Sequence, residues 1–155
     1  MARETVTRSA ADNVYLHKDF HGALSAGIAY LESRYGAEAV RSYVRRFTVK
    51  FYAPLVQAIK DRGLSALRDH LQRIYALEGG RIKIDFAEEE MTLEVEECPA
   101  VAHMRAHGYP VAPLFHETSK TLYAALCEGT PFVSEWLRYD ARTGRSAVRF
   151  RRSAP

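Results

Sequence analysis

From Phe20 onward the apolar positions recur every three or four residues. Phe20, Leu24, Ile28, Leu31 and Tyr35 form the stripe of an amphipathic helix, and Gly36 supplies its stop. Val40, Val44, Phe47, Phe51 and Leu55 continue the same spacing, with Arg41, Arg45 and Arg46 on the wetter side. Pro54 kinks or restarts that second helix, and Asp61-Arg62-Gly63 ends it. A third helix is predicted from about Leu64 to Leu77, its Leu67, Leu71 and Ile74 facing inward, before Gly79-Gly80 breaks the period. The period then switches from 3.6 to 2. Ile82, Ile84 and Phe86 alternate with Arg81, Lys83 and Asp85, and Met91, Leu93 and Val95 alternate with Thr92, Glu94 and Glu96, which predicts a hairpin turning within Ala87 to Glu90.

Cys98-Pro99 closes that hairpin and opens a short helix reaching Gly108, with proline in its favoured place at a helix start. The Gly108-Tyr109-Pro110 and Pro113 stretch reads as a stiff connector. A further helix from about His116 to Glu128 is marked by Leu122, Ala125 and Leu126 and stopped by Gly129. Two last strands, about Phe132 to Tyr139 and Arg145 to Arg151, flank the loop Asp140 to Gly144, whose glycine suits a hairpin needing positive φ. The expected fold is α+β: an antiparallel sheet of about four strands, from two hairpins, packed against N-terminal helices and two shorter helices. Residues 1–14 carry no sustained periodicity and read as a tail, leaving 15–155 as one domain.

Length and composition fit this picture. With 155 residues, 47% hydrophobic and 26% charged, the chain is that of an ordinary globular domain, and disordered, collagenous and disulfide-scaffold classes are excluded. A chain of this size buries roughly 68–70% of its unfolded surface, enough for a core without disulfide or structural metal. No apolar run of eighteen residues occurs and the N-terminus lacks an apolar signal core, so a cytoplasmic protein with no membrane span is expected. The net charge of +3 is a C-terminal feature: from Arg138 onward six arginines face one aspartate. No nucleic-acid module accompanies them, so nucleic acid is not an expected partner, and the last strand reads as a solvated edge kept soluble by arginine.

The chemistry-bearing residues cluster late. Cys98, His103, His107 and His116 lie within nineteen residues, followed by Glu117. Cys98, at the start of a helix, can have its thiol near backbone N–H groups that favour a thiolate. A histidine among His103, His107 and His116 would then act as base, with Glu117 or Asp85 as orienter, giving a Cys-His pair for attack on carbon. His103 and His107, four apart on a helix, also have chelating spacing. With no H-E-x-x-H pattern and no defined companion ligand beyond Cys98, no metal is expected and no cofactor is specified. Cys127, beside Leu126 on an amphipathic helix, reads as buried. Tyr43, Phe47, Phe51, Tyr75 and Tyr109 are candidate walls of a small-molecule pocket between helices and sheet.

With those residues in view, the chain resembles the 2-aminothiazoline-4-carboxylate hydrolase-like proteins. The resemblance is carried by Tyr35-Gly36-Ala37-Glu38-Ala39 in the N-terminal helices, Cys98-Pro99 after the hairpin, and Gly108 closing the short helix. It implies hydrolysis of a small cyclic amidine-type substrate. Where the family has further cysteines, this chain has Phe115-His116 and Ala147-Val148-Arg149-Phe150, so Cys98 alone carries over as a candidate. Two readings follow: a hydrolase acting on a cyclic amidine or amide through Cys98, and a non-catalytic small-molecule-binding or regulatory domain of the same fold, in either case expected as a homodimer.

Overall fold

The computed structural model describes residues 18–154, so the tail expected over 1–14 lies outside the described residues. In chain order come α1 (Phe20–Tyr35), α2 (Ala37–Phe51), α3 (Ala53–Arg62), α4 (Leu64–Glu78), β1 (Arg81–Phe86), β2 (Glu90–Glu97), α5 (Pro99–Ala106), α6 (Glu117–Cys127), β3 (Phe132–Tyr139) and β4 (Ser146–Arg152). The two hairpins share one antiparallel sheet of order β1-β2-β4-β3, so the α+β architecture stands. Pro54, in the first turn of α3, restarts the helix after Tyr52 because its ring fits only there. No helix among the described residues is long and apolar enough to cross a membrane.

The strand pairing corrects the edge-strand expectation. β4 is an inner strand, bonded to β2 on one side and β3 on the other. Its arginines lie along the outer face or at the strand end, where Arg149 meets Glu135 at 3.0 Å and Arg152 pairs with Glu89. Lys83–Glu96 and Arg138–Glu94, both 2.7 Å, extend this lattice of cross-strand charges. On the inner face Met91 and Leu93 of β2 and Val148 and Phe150 of β4 are fully buried. One irregularity re-aims a side chain that matters below. The register shifts between Trp136 and Arg138, so Arg138 pairs with Ala147 and Tyr139 with Ser146, which returns Tyr139 to the core face.

Two apolar clusters fill the interior. One packs α3, α4 and α6 on the sheet, around Leu67, Leu71, Leu126 and Phe150. The other gathers Ile28, Val40, Val44, Val101, Met104 and Phe115 from α1, α2, α5 and the connector. Cys98 and Leu122 touch both. The helical stripes are shorter than predicted. Ile28 is buried with Leu24 and Leu31 packed beside it, but Phe20 and Tyr35 are exposed. On α2 the inward row is Val40, Val44 and Thr48, with the Thr48 hydroxyl donating to the Val44 carbonyl at 2.8 Å. Phe47, one residue before Thr48 and so about 100° round the helix, faces out, as does Phe51.

Candidate functional site

Cys98 is the N-cap of α5, in extended conformation between the end of β2 and Pro99. The N–H groups of Val101 and Ala100 lie near enough to favour its thiolate, although neither makes a full capping hydrogen bond to the sulfur. Burial outweighs them and pushes the thiol up from its ordinary value, and the charge of Glu78 adds to the rise. The surroundings come from four elements. Tyr75 and Glu78 arrive from the end of α4, held close because the Gly80 backbone passes between the Tyr75 ring and Pro99. A methyl there would sit 2.7 Å from Tyr75 Cδ1 and 2.8 Å from Pro99 Cδ. Tyr123 arrives from α6 and Tyr139 from β3. Above, Gly144 of the β3–β4 loop covers the cysteine so closely that a methyl on it would lie 2.7 Å from Cys98 Cβ and 2.8 Å from Val101 Cγ2.

The phenols of this cluster are held neutral. Burial raises Tyr123 and carries Tyr75 well above the usual tyrosine range, and the two hydroxyls interact with each other. Tyr139 is raised by burial and then by Cys98, while the Arg105 guanidinium pulls it down. Glu78 is held by a histidine: His21 Nε2 lies 3.3 Å from Glu78 Oε2, both side chains nearly buried. The interior therefore gathers one thiol, one carboxylate with its histidine, and three neutral phenols, a set of nucleophile, proton acceptor and hydrogen-bond donors.

The histidines named from the sequence sit elsewhere. His103 Nε2 is 3.0 Å from Asp19 Oδ1, and the Tyr109 hydroxyl donates to the same oxygen at 3.2 Å. His107 Nδ1 donates to the His103 carbonyl at 2.9 Å, and its ring stacks against Tyr109. His116 turns to the Pro113 carbonyl and lies 3.7 Å from Glu117. Its ring lies against that of Tyr139, with centroids 5.2 Å apart. Glu117 is buried as a tie between helices, accepting from Arg41 at 3.3 Å and from Thr121 at 2.6 Å. These contacts hold the three histidines and Glu117 to partners other than Cys98, and the acid whose charge acts on the thiol is Glu78, paired with His21. Asp85 lies on the outer row of β1, opposite Thr92. Among the described residues no group of three or more His, Cys, Asp and Glu side chains could hold a metal ion.

The proposed pocket walls do not converge either. Tyr43, Phe47 and Phe51 line the outward side of α2, and Tyr109 is exposed beside α5. Tyr75 alone belongs to the interior cluster. Tyr123, Tyr139, Glu78 and His21 were missed because no local spacing connects them to Cys98. The one available signal was the double glycine, which lets the end of α4 approach the Cys98-Pro99 step. Cys127 is buried, as expected. Its thiol is pushed up to about 12 by burial.

Two shallow grooves adjoin this site from outside. One, of about 550 Å³, includes Tyr139, Arg138, Arg145 and Glu94. The other, of about 390 Å³, runs between α5 and the β3–β4 loop over Val101 and Ala102. No family model matches the chain, and no curated protein matches it.

Proposed function

We propose that this chain is a thiol-dependent hydrolase of a small cyclic amidine- or amide-type substrate, with Cys98 as nucleophile. The observation that carries the reading is the placement of Cys98. It begins a helix, beside two backbone N–H groups, within an interior cluster that supplies a carboxylate-histidine pair and three neutral phenols. The resemblance to the 2-aminothiazoline-4-carboxylate hydrolase-like proteins, through Cys98-Pro99, points to the same substrate class.

In this reading the Cys98 proton passes to Glu78 as Sγ bonds to the amidine or amide carbon. The displaced π pair goes to the substrate heteroatom, which accepts a hydrogen bond from Tyr75 or Tyr123. Collapse breaks the ring C–N bond, and the proton held by Glu78 goes to the leaving nitrogen. Water then attacks the carbon, the Sγ–C bond breaks, and the thiol recovers its proton, so one water is consumed per ring opened. Substrate reaches the sulfur when the loop bearing Gly144 lifts.

The test is turnover of 2-aminothiazoline-4-carboxylate and simple lactams, followed by mass spectrometry, with intact-protein mass read for an adduct on Cys98. Cys98→Ser lowers turnover at least about a thousandfold while the far-ultraviolet spectrum stays native. Unchanged turnover in that variant removes Cys98 as the nucleophile, and no turnover by the parent chain removes the hydrolase. A second reading, a non-catalytic small-molecule-binding domain, is favoured by the raised thiol and its roof. It predicts a ligand retained in native mass spectra, where the expected homodimer would also register, and no covalent adduct.

A further inference from the structure

We infer that the groove between α5 and the β3–β4 loop is a binding site for a compact, multiply charged anion, held by Arg105, Arg142 and Arg145. The three guanidiniums come from two elements, Arg105 from the helix and Arg142 and Arg145 from the loop, and all line the one groove. None makes an ion pair within 4 Å among the described residues. Arg145 Nε donates to the Glu96 backbone carbonyl at 3.0 Å, and Arg105 reaches only the Ala141 carbonyl at 3.5 Å. Glu96, Glu97 and Arg81 line the same groove, and both glutamates already hold a cation. Glu97 meets Arg81 at 3.3 Å, and Glu96 meets Lys83 at 2.7 Å. Asp140 accepts from the Arg142 backbone N–H and the Thr143 hydroxyl within its own loop.

Elsewhere on the sheet arginine is matched by carboxylate: Arg138 by Glu94, Arg149 by Glu135, Arg152 by Glu89. Gathering three cations, none in direct contact with a carboxylate, around one concavity costs repulsion that an anion removes, and guanidinium forks fit phosphate and carboxylate oxygens in pairs. Four arginines against two glutamates leave the lining a surplus of two positive charges, which suits an anion carrying two or more negative ones. At about 390 Å³ the groove takes a small molecule. Its loop also carries Gly144, so a bound anion braces the cover over Cys98, but the inference does not depend on thiol chemistry.

The test is calorimetric titration of the full chain with pyrophosphate and, separately, with citrate, at low salt and at about 0.3 M salt. Saturable binding that weakens at the higher salt is expected. Arg142→Gln, at a side chain with no hydrogen bond or ion pair among the described residues, weakens it at least tenfold, as does Arg105→Gln. Arg149→Gln, on the outer sheet face, leaves it within twofold. Tighter pyrophosphate binding assigns a phosphate-bearing ligand, and tighter citrate binding assigns a polycarboxylate. Absence of saturable binding of either anion at millimolar concentration overturns the inference, and so does binding that Arg142→Gln and Arg105→Gln leave unchanged.

Discussion

The two ends of α5 hold a cysteine and two histidines in different environments. At the N-terminal end Cys98 lies under Gly144 and among phenols. At the C-terminal end His107 is exposed and the half-buried His103 reaches the exposed Asp19 and Tyr109. Only nine residues separate Cys98 from His107, yet a helix of that length advances about 13 Å. His103, five residues on, is turned about 140° round the axis from the cysteine. Closeness in sequence therefore placed these groups on one rigid rod and, by the same geometry, kept them apart. The carboxylate whose charge acts on the thiol comes instead from α4, which ends twenty residues earlier and is brought alongside by the double glycine.

The largest expected difference between the ends is steric. Gly144 and Gly108 both have positive φ, +74° and +70°, so alanine at either incurs the left-handed penalty of roughly 1–2 kcal/mol. At Gly144 the new methyl also meets Cys98 and Val101 inside 3 Å, which adds roughly 1–3 kcal/mol of overpacking. At Gly108 nothing lies within 4 Å. Gly144→Ala should therefore lose about 2–5 kcal/mol in urea unfolding, and Gly108→Ala about 1–2. Equal losses would show that the loop does not press on Cys98.

The buried side should next reveal itself in alkali. A thiol whose native pKa is raised contributes stability that is complete below its unfolded value and lost as pH rises toward the native one. For Cys127 that window runs from about 9 to about 12, amounting to up to about 4 kcal/mol. Cys98, raised by burial, acts in the same direction. Cys127→Ala is expected to be less stable at neutral pH but to lose less between pH 9 and 11, as measured by urea midpoints. A slope identical to that of the parent chain would show that the native thiol ionises as freely as the unfolded one.

Much of this architecture was legible because it is local. The change of period at Gly79-Gly80, the Cys98-Pro99 helix start and the glycine of the last hairpin each mark a boundary that the backbone then obeys. What was not legible depends on neighbours from afar. Phe47 and Phe51 extend a perfect-looking stripe, but Thr48 continues the buried row because its hydroxyl finds the Val44 carbonyl. Tyr139 faces inward only because β3 carries an extra residue after Trp136. The arginines of β4 suggested an edge, whereas pairing with both β2 and β3 makes it an inner strand. The candidate site suffered most: its thiol was visible, but Glu78, with His21 behind it, and Tyr123 reach its neighbourhood only through the tertiary fold.

The smallest expected effect belongs to the exposed end, and it appears in acid. Asp19 is held below its ordinary value of 3.8, first by His103 and then by the Tyr109 hydroxyl. A carboxyl lowered in this way contributes stability that is present above the unfolded value and lost as pH falls through the native one. The contribution is modest because Asp19 is open to solvent, where water and salt screen the pair. A carbon-detected titration should place the Asp19 midpoint below 3.8 in the parent chain and return it toward that value in His103→Gln. In the same variant the amides at the start of α1 should exchange faster, while those around Cys98 keep their protection. A midpoint unmoved by His103→Gln would mean that Tyr109, and not His103, holds Asp19, and the acid response of this end of α5 would then rest on the phenol rather than the imidazole.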